Sequence, residues 1–419
     1  MDINDIRKAK EDNNYIVGNI NYARVNAMRM YDTSLKGLLK EAILLFLYDF
    51  DIIYNDVSYS KKYLIYTLRS AQRHDYDEII EMFQKINQDF TLIEVIQVKS
   101  LRNIFVKLLK LLKHSIHFFS NRVKKPFQTA ITTTKYNLLY DRLHKERFLN
   151  DAQIIVTFCD AYSPDNLITQ IAKLKGIKTA TLQHGQYRVL SEGNENADSE
   201  AYENFISDYL FTWGQATVDE FSKVNICKEK LIKTGALRSF TFNNRRVISM
   251  NKKIFGVVLC GETYKDTNIR MIKLANGFYE KYGLKYFLRM HPRNPQKDYL
   301  AHVNKKALYG FSNNIGNVDY ASIVDFSLIH MTGVFVELLS INTPLAVYKD
   351  DFLEKIFQIE PYCISDLDGL SKFYDDLLIN TKKILDDQYN KYHYFNEPKE
   401  KLSTNYSMAI SKILNEIEE

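Results

Sequence analysis

The sequence predicts an α/β protein of two Rossmann-like domains whose parallel sheets face a cleft, with helices added at the N-terminus. Two observations predict it. Short β-rich runs alternate with helical segments through two separate stretches of chain, and the polar, basic, aperiodic segment "FNNRRVISMNKK" (Phe242–Lys253) lies between them. Strands separated by helices of roughly 10–15 residues form βαβ units, and successive βαβ units build a parallel sheet.

The first series runs from "YLIYTL" (Tyr63–Leu68) through the helical "DYDEIIEMFQKI" to "FTLIEVIQV" (Phe90–Val98). It continues with "AQIIVTFC", the helical "SPDNLITQIAKLKG", "KTATLQ", "YLFTW", "ATVDEFSKVN" and "KLIKTGA". The second opens on "KIFGVVLCG" and a helix to about Asn276. "LKYFLRMHP", "ASIVDFSLIHMTG", a helix over 334–340 and "TPLAVYK" follow. Apolar residues at helical spacing mark "EKLSTNYSMAISKILNEIEE" as a last helix. The domain plan is therefore 1–241, a linker over 242–253, a second domain over 254–398, and a helix over 399–419 for which a crossing back onto the first domain is open.

Composition narrows the function classes. With 419 residues, 46% hydrophobic and 26% charged, the chain is an ordinary globular one of two or three domains. A net charge of +5 gives no argument for nucleic acid. Cys159, Cys227, Cys260 and Cys363 are scattered without a CxxC pair, so reduced thiols are expected rather than zinc or disulfides. "MDINDIRKAKEDNNY" lacks the apolar core of a signal peptide, and no apolar run reaches the ~20 residues of a membrane span. A soluble, cytoplasmic chain is expected. No GxGxxG, P-loop, HExxH or GxSxG occurs, which weakens nicotinamide, P-loop and hydrolase readings.

In open α/β sheets ligands bind beyond the carboxyl ends of strands. Four strand ends carry unusual chemistry: His184-Gly185 in "TLQHGQY", Gly261-Glu262 after "VVLC", Arg289, His291 and Arg293 in "RMHPRNP", and His330, Thr332, Gly333 and Glu337 in "HMTGVFVE". Each has a plain alternative. A strand-end histidine can be a solvated loop residue, "HP…NP" a turn, Thr332 a helix cap, and Glu337 a surface carboxylate. Their joint placement at one end of two sheets is what singles them out.

These positions resemble the GT-B glycosyltransferases of bacterial surface polysaccharide synthesis. The likeness is closest to the superfamily of CDP-glycerol glycerophosphotransferases and capsule polymerases. "LQHG", "LRMHP" and "DFSLIHMTGVFVELLSINTPLAVY" match that family's elements in order and approximate spacing, and "KTGALRSF" is similar to its "TGxPRxD". The likeness covers roughly 152–349. It implies a catalytic histidine at His184 and a nucleotide-diphosphate site around Arg289, His291, Thr332 and Glu337. Two departures stand out. "HMTG" supplies one hydroxyl where two or three are usual, and Leu237 and Phe240 replace the proline and aspartate of "TGxPRxD".

The implied chemistry is metal-independent and cofactor-free transfer of a sugar, or of glycerol phosphate, from a nucleotide-activated donor to a lipid-linked or glycan acceptor. His184 would deprotonate the acceptor hydroxyl, since a base titrating near the working pH transfers protons efficiently. Arg289, His291, Arg293, Thr332 and the amides near Gly261 and Gly333 would neutralise the leaving diphosphate. Glu337 would accept from the donor ribose. Asp160, one strand before His184, would orient the imidazole, touch acceptor, or simply cap a buried loop.

The stretch Lys99–Lys125 stands apart. Leu101, Phe105, Leu108, Leu112, Ile116 and Phe119 fall on one helical face, while Lys99, Arg102, Lys107, Lys110 and Lys113 lie opposite with no acid among them. Either the basic face, through Lys107, Lys110 and Lys113, lies on an anionic membrane, placing the chain peripherally on the inner face of the cell membrane, or the Leu/Phe face packs on the sheet. Two other functional readings stay open. One is a UDP-sugar 2-epimerase, for which Asp160, Asp165 and Glu262 are the available carboxylates; the other is an inert GT-B partner subunit.

Overall fold

The computed structural model describes residues 1–32, 34–55, 61–67, 74–238, 252–292 and 294–418. Most of the expected linker and Arg293 therefore lie outside the described residues. The chain divides into two units, one formed by Met1–Arg238 with Glu397–Glu419 and the other by Ser239–Asn396.

The first unit opens with a helix over Ile3–Glu11, a small antiparallel ladder of β1 (Ile16–Val17) and β2 (Ile20–Asn21), and helices over Tyr22–Met30 and Leu35–Leu47. Its main sheet holds β3 (Tyr48–Tyr54), β4 (Lys62–Tyr66), β5 (Thr91–Lys99), β6 (Ile154–Thr157), β7 (Lys178–Leu182), β8 (Tyr209–Thr212) and β9 (Leu231–Lys233), in the order β3-β5-β4-β6-β7-β8-β9. All pairings are parallel except β3 with β5, an antiparallel edge that the sequence reading did not contain. Consecutive buried residues in β6 and β8 explain their unbroken apolar runs, since helices cover both faces of such a sheet.

The helix over Leu402–Glu418 packs on this sheet. Leu402, Tyr406, Ala409, Ile410 and Ile413 join Leu64, Phe83, Phe90 and Phe211 in one buried cluster. Gly235, at a left-handed φ of +97°, lets Leu402 approach: a Cβ there would stand 2.8 Å from its Cδ1.

The second unit has β10 (Ile254–Val258), β11 (Lys285–Arg289), β12 (Leu308–Ser312), β13 (Ser327–Ile329), β14 (Leu345–Tyr348) and β15 (Cys363–Ile364). They are all parallel, in the order β12-β11-β10-β13-β14-β15. Counted within this sheet the order is 3-2-1-4-5-6, the doubly wound Rossmann arrangement, whose ligand crevice opens where the order reverses. Here that point lies between the ends of β10 and β13. In the first sheet the reversal lies between β4 and β6.

The basic helix is turned around relative to expectation. Over Ile104–Ser120 it buries Lys107, Leu111, His114 and Phe118 and leaves its Leu/Ile/Phe side outward. Its neighbour, the helix Pro126–Leu143, explains this, because Thr129 and Thr132–Lys135 are buried there and need polar partners. His114 Nδ1 meets Thr134 Oγ1 at 2.9 Å, and burial, then Lys110 and Lys113, push the imidazole down to about 4. Lys107 is fully buried, with Nζ 2.8 Å from Asp49 and 3.0 Å from the Tyr48 carbonyl. Lys110 pairs with Asp141 at 2.7 Å. Of the three lysines expected to meet a membrane, Lys107 and Lys110 are thus committed internally, and only Lys113 is exposed.

Candidate functional site

In the second unit the site grows from a glycine. A Cβ on Gly256, inside β10, would stand 1.7 Å from the Tyr320 hydroxyl, so the bare backbone is what admits that ring. Tyr320 is fully buried, and its hydroxyl shares a 2.9 Å hydrogen bond with Ser327 of β13. Arg289, the last residue of β11, lays its guanidinium over the Tyr320 ring at 5.2 Å. Burial draws the pKa of Arg289 down, opposed by Tyr320 and Glu337, yet a guanidinium stays charged. Its Nη1 is buried with no hydrogen-bond partner among the described residues. Arg289 as a whole is half-buried, but a buried, unmet donor on a cation is costly unless an anion completes it.

Around Arg289 stand Glu337, on the short helix Phe335–Ser340, and Asn317, whose amide donates to the Glu337 carboxylate. His291 is half-buried, and its carbonyl accepts from Asn294 N at 2.9 Å. Asn294 in turn donates to the Cys260 carbonyl at 2.9 Å, tying the loop after β11 to the end of β10. Thr332 is half-buried, its carbonyl accepting from Phe335 N at 3.0 Å. Glu262 leans away to Tyr299, whose hydroxyl it accepts at 2.9 Å, and to Lys265 at 3.7 Å. A methyl group at Gly185, Gly261 or Gly333 would meet nothing within 4 Å, and none of the three has a left-handed φ. Open space lies beside them, and the backbone itself does not demand glycine.

His330, at the end of β13 and offered by the sequence as a donor-site residue, is turned inward. It is fully buried, with Nε2 2.9 Å from Asp350 and Nδ1 3.6 Å from Cys260 Sγ. Cys260 donates onward to the Met331 carbonyl at 2.9 Å, and Asp350 also accepts from Thr267 and Arg270. Burial pushes the Asp350 carboxyl up, but hydrogen bonds from His330 and Thr267 outweigh it and hold the group well below the usual carboxylate range. This network pins together the ends of β10, β13 and β14, so His330 shapes the crevice without reaching into it. Among the described residues no group of three or more His, Cys, Asp or Glu side chains converges in a metal-binding arrangement.

In the first unit His184 follows β7 inside an aromatic box of Tyr76, Phe158, Tyr162 and Tyr187. It is 9% exposed, with Nδ1 2.8 Å from the Tyr187 hydroxyl and Nε2 3.2 Å from that of Tyr162. A neutral imidazole so placed donates through one nitrogen and accepts through the other. Tyr187 is buried and Tyr162 is half-buried, so of the two phenols Tyr162 is the one that reaches toward solvent. The preceding Gln183 fixes the turn. Its Oε1 accepts from Trp213 N at 2.7 Å and from Thr217, while its own carbonyl accepts from the Trp213 indole at 2.8 Å.

Asp160 takes the loop-cap role among those left open for it. Its Oδ2 accepts from Ile206 N, Ser207 N and the Ser207 hydroxyl at 2.7–2.9 Å, in a site 2% exposed. Orientation of His184 falls instead to the two tyrosines. Asp165 bridges the two strands at the sheet reversal: Oδ1 accepts from Thr67 at 2.6 Å, after β4, and Oδ2 from Cys159 N at 2.8 Å, after β6. Burial drives its carboxyl up to about 7. Tyr320, Asn317, Cys260, Asp350 and the tyrosines around His184 escaped sequence reasoning. The only local signals are the strand glycine Gly256 and the aspartate after "TPLAVYK".

Two α/β units of this kind, one sheet wholly parallel and the other parallel but for its β3 edge, define a GT-B-like fold. No family model and no curated protein matches the chain, but solved structures do. UDP-GlcNAc 2-epimerase from Neisseria meningitidis bound to UDP-GlcNAc is similar at TM-score 0.53 and 14% identity, over 84% of this chain and 99% of that one. The Staphylococcus aureus MnaA–UDP structure is similar at TM-score 0.51 and 13% identity, over 86% and 98%. The Methanocaldococcus jannaschii UDP-GlcNAc 2-epimerase gives TM-score 0.51 and 15% identity, over 84% and 99%. At such identities the likeness is one of fold.

Proposed function

We propose that this chain is an enzyme acting on a nucleotide-activated sugar, with the diphosphate held in the second unit at the ends of β10, β11 and β13. The observation that carries the reading is the buried, unpartnered Nη1 of Arg289 beside the reversal point of a Rossmann sheet. Phosphate oxygens match the geometry of a guanidinium fork. In this reading Thr332 and His291 help hold the phosphates and Glu337 takes the ribose. His184 is the general base, relayed through Tyr162. The reaction is metal-independent transfer of the sugar, or of glycerol phosphate, to a lipid-linked or glycan acceptor of the bacterial surface, carried out at the inner face of the membrane. The resemblance of "LQHG" and "LRMHP" to the glycerophosphotransferase superfamily supports transfer.

A second reading is 2-epimerisation of a UDP-sugar, supported by the likeness to epimerases solved with UDP or UDP-GlcNAc. Inverting C2 removes its hydrogen and returns a proton from the opposite face. One experiment addresses both. UDP, CDP and GDP are titrated into the full chain, and UDP-GlcNAc is then incubated with it in heavy water. Nucleotide binding with deuterium at C2 selects epimerisation. Binding without exchange, with acceptor-dependent release of nucleotide, selects transfer. Failure to bind any nucleotide removes the proposal.

A further inference from the structure

Two neighbouring helices of the first unit each turn an apolar side outward that no described element covers. On the helix Ile104–Ser120 this face carries Phe105, Leu109, Leu112 and Ile116, with Phe105 82% and Leu109 67% exposed. On the helix Leu35–Leu47 it carries Leu35, Leu39 and Ile43, with Leu35 71% exposed. The helices pack on one another, and Ser100 N donates to the Leu47 carbonyl at 2.9 Å, bringing the end of one beside the start of the other. Single exposed leucines need no explanation, but a contiguous apolar face on a surface marks an interaction site.

We infer that this face inserts into the interfacial layer of an anionic lipid bilayer, laying both helices in the membrane plane. Three observations favour lipid over protein. The exposed charges on the two helices are Lys36, Lys40 and Lys113, while their one acid, Glu41, is buried against Lys135 at 3.1 Å. The apolar residues are Leu, Ile and Phe beside lysines, the composition of interfacial helices, whereas protein interfaces are rich in Tyr, Trp, Met and Arg and poor in Lys. A two-fold contact with a second copy would also set this lysine rim against itself, which like-charge repulsion opposes. Insertion then depends mainly on the apolar ridge, with the lysines adding a smaller, salt-sensitive part.

The inference does not lean on the nucleotide reading, because vesicle binding is measured with no nucleotide present and either can fail alone. The full chain is floated with vesicles of phosphatidylcholine, with and without phosphatidylglycerol. Each large apolar side chain withdrawn from water is worth roughly ten- to a hundredfold in affinity. The triple variant Leu39→Ser, Phe105→Ser, Leu109→Ser should therefore bind anionic vesicles at least about a thousandfold more weakly, at an unchanged melting temperature. Reversing Lys40 and Lys113 to Glu should weaken binding less, by about tenfold or so for each lysine at low salt. In Phe105→Trp, emission should shift to the blue when vesicles are added, since the native Trp213 is buried at 3% exposure. The inference is overturned if wild type floats with neither vesicle, if the triple variant floats as before, or if the Phe105→Trp emission does not move. It is equally overturned if light scattering shows a wild-type dimer that the triple variant abolishes.

Discussion

Replacing Arg289 with Met should move stability and binding in opposite directions. In the free protein Nη1 is a buried donor without a partner among the described residues, which costs about 1–3 kcal/mol of stability. Methionine removes that donor and fills similar space on the Tyr320 ring. It forfeits the cation–π contact at 5.2 Å, worth about 0.5–2 kcal/mol. The central expectation is a gain of about 1 kcal/mol, or about 2–4 °C in melting temperature for a chain segment of this size. Binding should suffer, because a charge-assisted bond to phosphate contributes about 1.5–3 kcal/mol, or about 10- to 150-fold in Kd. Calorimetry with UDP, CDP and GDP reads the second effect, and thermal melting without nucleotide reads the first. A variant that binds nucleotide as wild type does, or that melts several degrees lower when empty, would refute the reasoning and make Arg289 a structural residue.

Three further outcomes follow from the same contacts. His184→Ala should lower turnover by about 10²–10⁴-fold, with nucleotide affinity nearly unchanged by calorimetry; equal loss in both would point to misfolding of the aromatic box. Asp165, raised by burial to about 7, keeps its proton when folded but releases it near pH 4 when unfolded, so its contribution to stability falls as pH rises from about 4 to about 7 and then levels. Asp165→Asn can accept from Cys159 N and donate to Thr67, so its melting temperature relative to wild type should climb across that window; a flat difference would contradict the burial argument. Lys107→Glu places an acid beside Asp49 in a fully buried site and should cost about 3–5 kcal/mol, seen as lost soluble yield or a much lower melting temperature.

The fold class was legible because parallel strands covered on both faces are unbroken apolar runs, as in "IIVTFC" and "VVLC". The edge strand β3 was not, since "YDFDIIY" mixes acids into its pattern and owes its place to its ladder with β5. The place of Arg289 at the end of β11 was legible because it depends only on position along the strand. His330 sits in the same kind of position, yet its partners Cys260 and Asp350 come from other strands, and sequence spacing carries no sign of them. The basic helix shows a subtler limit. Within Ile104–Ser120 periodicity separated the Leu/Phe side from Lys107 and Lys110, whereas Lys99 ends β5 and Leu101 and Arg102 precede the helix; which side turns inward was decided by the threonines of the helix Pro126–Leu143.

The packing of the helix Leu402–Glu418 on the first unit has a consequence for biosynthesis. Its Tyr406 ring lies edge-on to Phe83 at 5.7 Å and to Phe211 at 5.5 Å, closing a core whose other members are translated long before. A ribosome makes the first sheet, then all of the second unit, and only afterwards the helix that seals the first sheet. The usual N-to-C order of domain folding is thereby reversed at its last step. The unit begun first is completed last, and its aromatic flank stays open to chaperones, or to other nascent chains, for the whole time the second unit is being made.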